Sequence, residues 1–157
     1  MEVNALIVKE LDNEEFLKCK DAILDLLTET YIENFGISKE QSISLCKEKL
    51  NLIPNYINQK TAILIGTYED ERLVGFLWLY KHEFFGESRL HINQIIVSNK
   101  FRGKGIGRRL MKQAEQVAKK HKISTIDLNV SEVNKEAVRM YNSMGFITER
   151  RYMKKVF

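Results

Sequence analysis

Between positions 100 and 112 the chain carries six cations, Lys100, Arg102, Lys104, Arg108, Arg109 and Lys112, with no acid among them. Gly103, Gly105 and Gly107 are threaded through the same stretch. Clustered positive charge attracts anions such as phosphates. Glycines at alternate positions let a ligand approach the main chain, at a cost in helix propensity just where a helix is about to begin. The free N–H groups of a helix N-terminus, aided by the helix dipole, bind phosphate oxygens. The chemistry on offer is capture of a phosphorylated ligand by main-chain amides, with Arg102, Lys104 and Arg108 as supporting charges. The bland alternative is a tight turn leading into a solvated helix face. Two familiar phosphate loops fit poorly. No Lys-Ser or Lys-Thr pair follows a suitable glycine, as a P-loop needs, and the glycine spacing is not G-x-G-x-x-G.

Hydrophobic periodicity supplies the elements that must hold this loop. Residues 3–10 read as a strand. Asp12 is an N-cap for a helix whose apolar face is Phe16, Cys19, Ile23, Leu26, Leu27 and Tyr31, ending near Gly36. Ser38 and Gln41 open a second helix, which Pro54 is expected to end or kink. Residues 61–68 and 72–81 form a hairpin about Glu69-Asp70-Glu71, and 89–98 is the next strand. Ile106, Leu110, Met111, Ala114, Val117, Ala118 and His121 mark a third helix, and 123–130 alternates as a strand. A fourth helix spans 134–144 and stops at Gly145, and 146–156 closes the order as a strand. The result is β-α-α-β-β-β-α-β-α-β in one domain over residues 1–157, an α/β (α+β) chain with a mixed sheet. Strand 89–98, the third helix and strand 123–130 form a right-handed βαβ unit with parallel strands.

At the loop and beyond it the sequence resembles the GNAT superfamily of N-acetyltransferases. Arg102-x-x-Gly105-x-Gly107 is similar to that family's pyrophosphate signature. Leu128-x-Val130-x3-Asn134-x2-Ala137-x3-Tyr141-x3-Gly145-Phe146 resembles its second cofactor motif, and Val74-Gly75-Phe76 its third strand. The resemblance covers roughly 61–155, while 1–60 match only in having a strand and two helices. It implies a mostly antiparallel central sheet flanked by four helices, with two parallel strands splayed apart. It implies acetyl-CoA as cosubstrate, held at the pyrophosphate by Arg102, Gly103, Lys104, Gly105, Gly107 and Arg108. The pantetheine arm would lie along main-chain groups of Ile95 and Val97, with Asn134 reaching it. Asn134 is equally an N-cap for its helix. Tyr141 aligns with the family's general acid, although its place on an apolar face with Ala137 and Met144 also fits a core aromatic.

No general base is assigned. Many relatives carry a carboxylate on the strand before the loop, where this chain reads His91-Ile92-Asn93-Gln94-Ile95. His91, an imidazole, could serve, as could a water held by Asn93, Gln94 or main-chain carbonyls. His82 and Asp127 are weaker candidates, Asp127 being read as solvated or paired. Tyr31, Phe35, Tyr56 and the aromatic pair Phe84-Phe85 in an expected loop at 82–89 are candidates to line the acceptor pocket. Glu29, Glu33 and Glu40 against Lys39 hint at a cationic acceptor, or at a solvated helix face.

No serine or cysteine nucleophile motif appears, so direct attack in a ternary complex is expected rather than an acyl-enzyme. Histidines, cysteines and acids lack metal-ligand spacing, so no metal is expected. Cys19 and Cys46 fall on apolar helix faces, as reduced cytoplasmic thiols do. MEVNALIVKE lacks the basic start and apolar length of a signal peptide, and no apolar run is long enough for a membrane span. Net charge +4 is too mild for a nucleic-acid footprint, and no recognition helix or aromatic-basic platform accompanies it. The expected partner is a primary amine, small molecule or protein; a homodimer is allowed but not required. A second reading, from another class, is a catalytically silent acyl-CoA-binding sensor or structural module.

Overall fold

The computed structural model describes residues 5–157. Its elements run β1 (Ile7–Leu11), α1 (Asn13–Phe35), α2 (Lys39–Asn58), β2 (Ala62–Glu69), β3 (Arg72–Phe84), β4 (Glu87–Val97), α3 (Ile106–Lys120), β5 (Thr125–Leu128) and α4 (Lys135–Ser143). The strands form one sheet in the order β1-β2-β3-β4-β5, antiparallel except for the parallel pair β4–β5. The mixed sheet with four helices is thus as the sequence implies. The expected first strand began at residues 3 and 4, which lie outside the described residues.

Local chemistry explains where the helices start. Asp12 and Glu15 close a capping box on α1, and Ser38 and Gln41 close another on α2. Gly36 ends α1 in the left-handed conformation. Pro54 does not end α2, which continues to Asn58. The missing amide there costs one intrahelical bond, and Ile53, fully buried beside it, holds the helix against the core.

The two faces of the sheet carry separate cores. Leu64, Phe76, Trp78 and Ile96 face α1 and α2, packing with Phe16, Ile23, Leu27 and Leu50. Ile63, Ile65, Val74, Leu77 and Ile92 face α3 and α4, packing with Ile106, Leu110, Ala114 and Tyr141. A Cβ on Gly75 would stand 3.1 Å from Ile106 and 3.3 Å from Leu110, so this glycine lets the start of α3 sit directly on β3.

Two sequence expectations fail. The loop expected at 82–89 is a hairpin in which β3 and β4 run on to a two-residue turn, Phe85-Gly86, both at positive φ. That is the backbone pattern of a type I′ turn, whose twist matches the strands it joins. The strand expected at 146–156 does not form: these residues pair with no strand. Its apolar residues alternate poorly, with Lys154 and Lys155 interrupting both faces.

Candidate active site

β4 and β5 pair only over Arg89–Ile92 and Thr125–Leu128, whereas β4 stays paired with β3 as far as Val97. Past Ile92 the edge of β4 that faces β5 has lost its partner. Ser98 N–H donates to Val74 O on β3. Main-chain groups alternate sides along a strand, so those of Ile95 and Val97 turn to the opposite, open edge.

At the end of β4 the chain passes through a short 3-10 turn (Asn99–Phe101) into α3. Gly103 and Gly105 adopt φ of 77° and 78°, and Gly105 is the N-cap of α3. No side chain caps this helix, in contrast to α1, α2 and α4. Its first amides therefore point into open space, where a hypothetical Cβ at Gly103 or Gly105 meets nothing within 4 Å. Of the cations, Arg102 reaches Glu33 of α1 at 3.4 Å, and Asn99 donates to the same carboxylate at 3.3 Å. Arg108 donates to Ser143 of α4 at 2.7 Å, and Lys104 lies over the Phe101 ring. Glu33, read from sequence as part of an acidic helix face, thus ties α1 to the loop. α4 also comes close at Gly107, with Met140 Sδ 3.6 Å from where a Cβ would stand.

Asn134 caps α4 by accepting from Ala137 N–H at 3.2 Å. Tyr141, about two turns on, is 8% exposed and packs against Phe146. Burial pushes its phenol above the ordinary value, and its hydroxyl has no hydrogen-bond partner among the described residues. Such a phenol keeps its proton at neutral pH.

On the α1/α2 face lies a cluster that the sequence did not bring together. The β3–β4 register slips between Trp78 and Leu79, pairing Trp78 with Gln94 but Leu79 with Ile92. Asn93 is the extra residue. Through this bulge Gln94 and His91 share one face, while Ile92 turns to the α3 side. His91 Nδ1 lies 2.8 Å from the Asp127 carboxylate, directly across the β4–β5 ladder. His82 Nε2 lies 3.1 Å from both carboxylate oxygens, and Arg89 Nη1 3.5 Å from one of them. Burial raises the Asp127 carboxyl, but hydrogen bonds from His91 and His82 outweigh it and hold the group below its ordinary value. An ionised carboxylate only accepts, so His91 carries a proton on Nδ1; in the neutral imidazole Nε2 is then the lone-pair nitrogen. That Nε2 has no hydrogen-bond partner among the described residues. Nearby, Tyr31 of α1 accepts from Gln94 Nε2 at 3.1 Å.

Of the aromatics expected around an acceptor, Tyr31 and Tyr56 pack into the α1/α2 core, and Phe35 is exposed beside Tyr31. Phe84 and Phe85 belong to the β3–β4 hairpin end, where Arg89 and Arg150 stack on the Phe84 ring. They are therefore remote from the open edge at 93–97. Cys19 and Cys46 are free thiols, both pushed up by burial. No described helix is long and apolar enough to cross a membrane.

Comparison with known proteins agrees with this geometry. The Acetyltransferase (GNAT) family model matches residues 20–146. Spermine/spermidine N(1)-acetyltransferase of Bacillus subtilis (strain 168) is 27% identical over 130 residues, covering 80% of this chain and 79% of that protein. Mycothiol acetyltransferase of Propionibacterium freudenreichii subsp. shermanii is 28% identical over 127 residues, covering 81% of this chain but only 41% of its own length. The fold is similar to that of a predicted acetyltransferase from Clostridium acetobutylicum solved with acetyl-CoA, with a TM-score of 0.77 at 16% identity over 97% of this chain and 96% of that one. The family match spans most of the sequence and both halves of the site: the chain belongs to the Acetyltransferase (GNAT) family.

Proposed function

We propose that the chain transfers an acetyl group from acetyl-CoA to a primary amine by direct attack in a ternary complex. The observation that carries this reading is the pairing of an uncapped, glycine-opened helix start with the parting of β4 from β5 beside it. The α3 amides, with Arg102, Lys104 and Arg108, hold the pyrophosphate. For full engagement Arg102 exchanges its weak contact with Glu33 for the phosphate. The open edge of β4 at Ile95 and Val97 receives the pantetheine amides, with Asn134 at its border while still capping α4.

Two groups then serve the reaction from opposite faces of the sheet. His91 Nε2, on the α1/α2 side, takes a proton from the amine as its nitrogen bonds to the thioester carbon. Asp127 positions the imidazole and favours the cation it becomes. Tyr141, on the α3/α4 side, gives its proton to the sulfur as the carbon–sulfur bond breaks. The acceptor enters from the α1/α2 face, past Tyr31 and Gln94. The spermine/spermidine enzyme among the relatives and the acidic residues of α1 both favour a cationic amine.

The test is an assay of free thiol release from acetyl-CoA across a panel of polyamines, aminoglycosides and peptide N-terminal amines. Release that depends on one class of amine, with matching acetylated product, is the expected outcome. Acetyl-CoA binding without amine-dependent release would favour the silent acyl-CoA-binding module.

A further inference from the structure

Three neighbouring strands bring two imidazoles and a carboxylate to one point. His91 of β4 pairs with Asp127 of β5 on one side and with Tyr80 of β3 on the other. His82, two residues along β3 from Tyr80, therefore lies diagonally across from His91 on the same face. One nitrogen from each ring and one oxygen of Asp127 lie within 4.8 Å of one another. His91 presents Nδ1 at 2.8 Å from Asp127 Oδ1, and His82 presents Nε2 at 3.1 Å from the same oxygen. The Tyr80 ring flanks both imidazoles, with centroids 4.8 Å from His91 and 5.8 Å from His82, and restricts how they turn. Arg89 Nη1 stands 3.5 Å from the other oxygen, Oδ2, but Glu87 and Glu149 each hold this guanidinium at 2.8 Å and match its charge. Oδ1 is thus the oxygen open to a ligand role, while Oδ2 keeps its tie to Arg89, an outer contact of the kind that steadies metal-bound carboxylates. Positions 82, 91 and 127 have no metal-ligand spacing in the sequence; the register of the strands supplies it.

We infer that His82 Nε2, His91 Nδ1 and Asp127 Oδ1 form a site for one divalent ion of the zinc type, with a water completing the tetrahedron. Two imidazoles and a carboxylate suit zinc and its first-row neighbours, whereas magnesium and calcium take oxygen ligands. Zinc bonds of about 2.0–2.1 Å in a tetrahedron set the ligand atoms about 3.3–3.4 Å apart. The two contacts at Asp127 reach that spacing by opening about half an ångström or less. All three side chains are partly exposed, so an ion and its water have a way in. His91 Nδ1 gives up its hydrogen to the incoming metal, and the neutral ring carries its proton on Nε2 instead. The ion thereby occupies the ring that, in the acetyl-transfer reading, takes the proton of the amine, and bound zinc switches that base off. The site stands without that reading; the inhibition rests on it.

The experiment is calorimetric titration of zinc chloride into the full chain after treatment with a chelator, with magnesium chloride as the control. One zinc ion per chain at micromolar affinity or tighter, and no magnesium binding, is the expected result. His82→Ala should weaken zinc binding by about tenfold or more. Cys19→Ser/Cys46→Ser, which removes both free thiols, should leave it unchanged. In wild-type protein the ring-nitrogen NMR signals of His82 and His91 should move on zinc addition, with the His91 proton on Nε2, while those of His121 stay. Saturating zinc should slow acetyl transfer, read as acetylated amine, by roughly 10²-fold. Binding without that inhibition would uphold the site and count against His91 as the base. No zinc binding by wild-type protein, unmoved His82 and His91 signals, full affinity in folded His82→Ala, or loss of binding in the folded cysteine variant would overturn the site. The wild-type titration and NMR decide the matter even if a variant fails to fold.

Discussion

His91 and Asp127 face each other across the parallel β4–β5 ladder, one pair before the strands part, with the imidazole Nδ1 2.8 Å from the carboxylate. A base at this point stands at the mouth of the gap in which a thioester would lie. Replacing His91 with Ala should lower kcat/KM by roughly 10²-fold, a typical loss for a general base. Asp127→Asn should cost about tenfold, because the imidazole loses the carboxylate that orients it. Coenzyme affinity, read by calorimetry, should change in neither variant. An unchanged kcat/KM in His91→Ala would hand the proton to water instead.

Tyr141 tests the other face of the reaction. Tyr141→Phe keeps the ring packed against Phe146 and removes the proton. The variant should fold and bind acetyl-CoA as wild type does, while kcat falls by roughly 10²-fold, or about 2.7 kcal/mol of barrier. Pre-steady-state kinetics should show that chemistry limits the rate. A change under about threefold in that regime would leave Tyr141 a core aromatic only.

Gly105→Val should abolish acetyl-CoA binding, since a branched side chain would stand over the amides that start α3. The residue sits at φ 78°, so the backbone strain itself costs about 1–2 kcal/mol. Gly86→Val, at φ 83° in the distant β3–β4 turn, is the matched control for strain. It should lose similar stability and bind acetyl-CoA normally. Calorimetry on both variants separates the effects, and normal affinity in a folded Gly105→Val protein would remove the basis for the phosphate site.

Tyr31→Phe removes the hydroxyl that accepts from Gln94 without emptying the α1/α2 core. It should raise acceptor KM several-fold and leave acetyl-CoA affinity unchanged. The larger change to Ala is a poor trial, because Tyr31 is 8% exposed and its loss would open a cavity costing about 3 kcal/mol. A shift in coenzyme affinity alone would put the acceptor elsewhere.

The Asp127 carboxyl should also register in acid stability. Its folded pKa lies below the ordinary value, so its contribution is present above the unfolded pKa near 3.9 and disappears as pH falls through the folded one. Asp127→Asn should cost about 1–2 kcal/mol at pH 7 in urea denaturation, and the difference from wild type should shrink below about pH 3. An equal difference at both pH values would mean that the charge on Asp127 is not what the fold uses.

The sequence showed the glycine-opened start of α3 because its signal is local: alternate glycines, clustered cations and a helix start lie within a few residues. The capping boxes of α1 and α2 were legible for the same reason. The His91–Asp127 pair was not. It depends on the parallel register of two strands separated by a whole helix, and on a one-residue bulge at Asn93 that turns His91 to the α1/α2 face. Neither leaves a mark in periodicity, although His91 and Asp127 were each visible as isolated titratable residues. The hairpin at Phe85-Gly86 was hidden because Phe85 is an unusual residue for positive φ. The strand expected at 146–156 was misplaced because single-chain pairing cannot be read from a segment that finds no partner in its own sheet.

Acetyl transfer to an amine is measured most directly by mass spectrometry on wild-type protein with acetyl-CoA and the amine panel. One new acetyl group is expected on the nitrogen of a primary amine, matched mole for mole by free coenzyme A and formed roughly 10²-fold more slowly in Tyr141→Phe and His91→Ala. Tight binding of acetyl-CoA with no acetylated amine from any class, under conditions where the fold is intact, would contradict it.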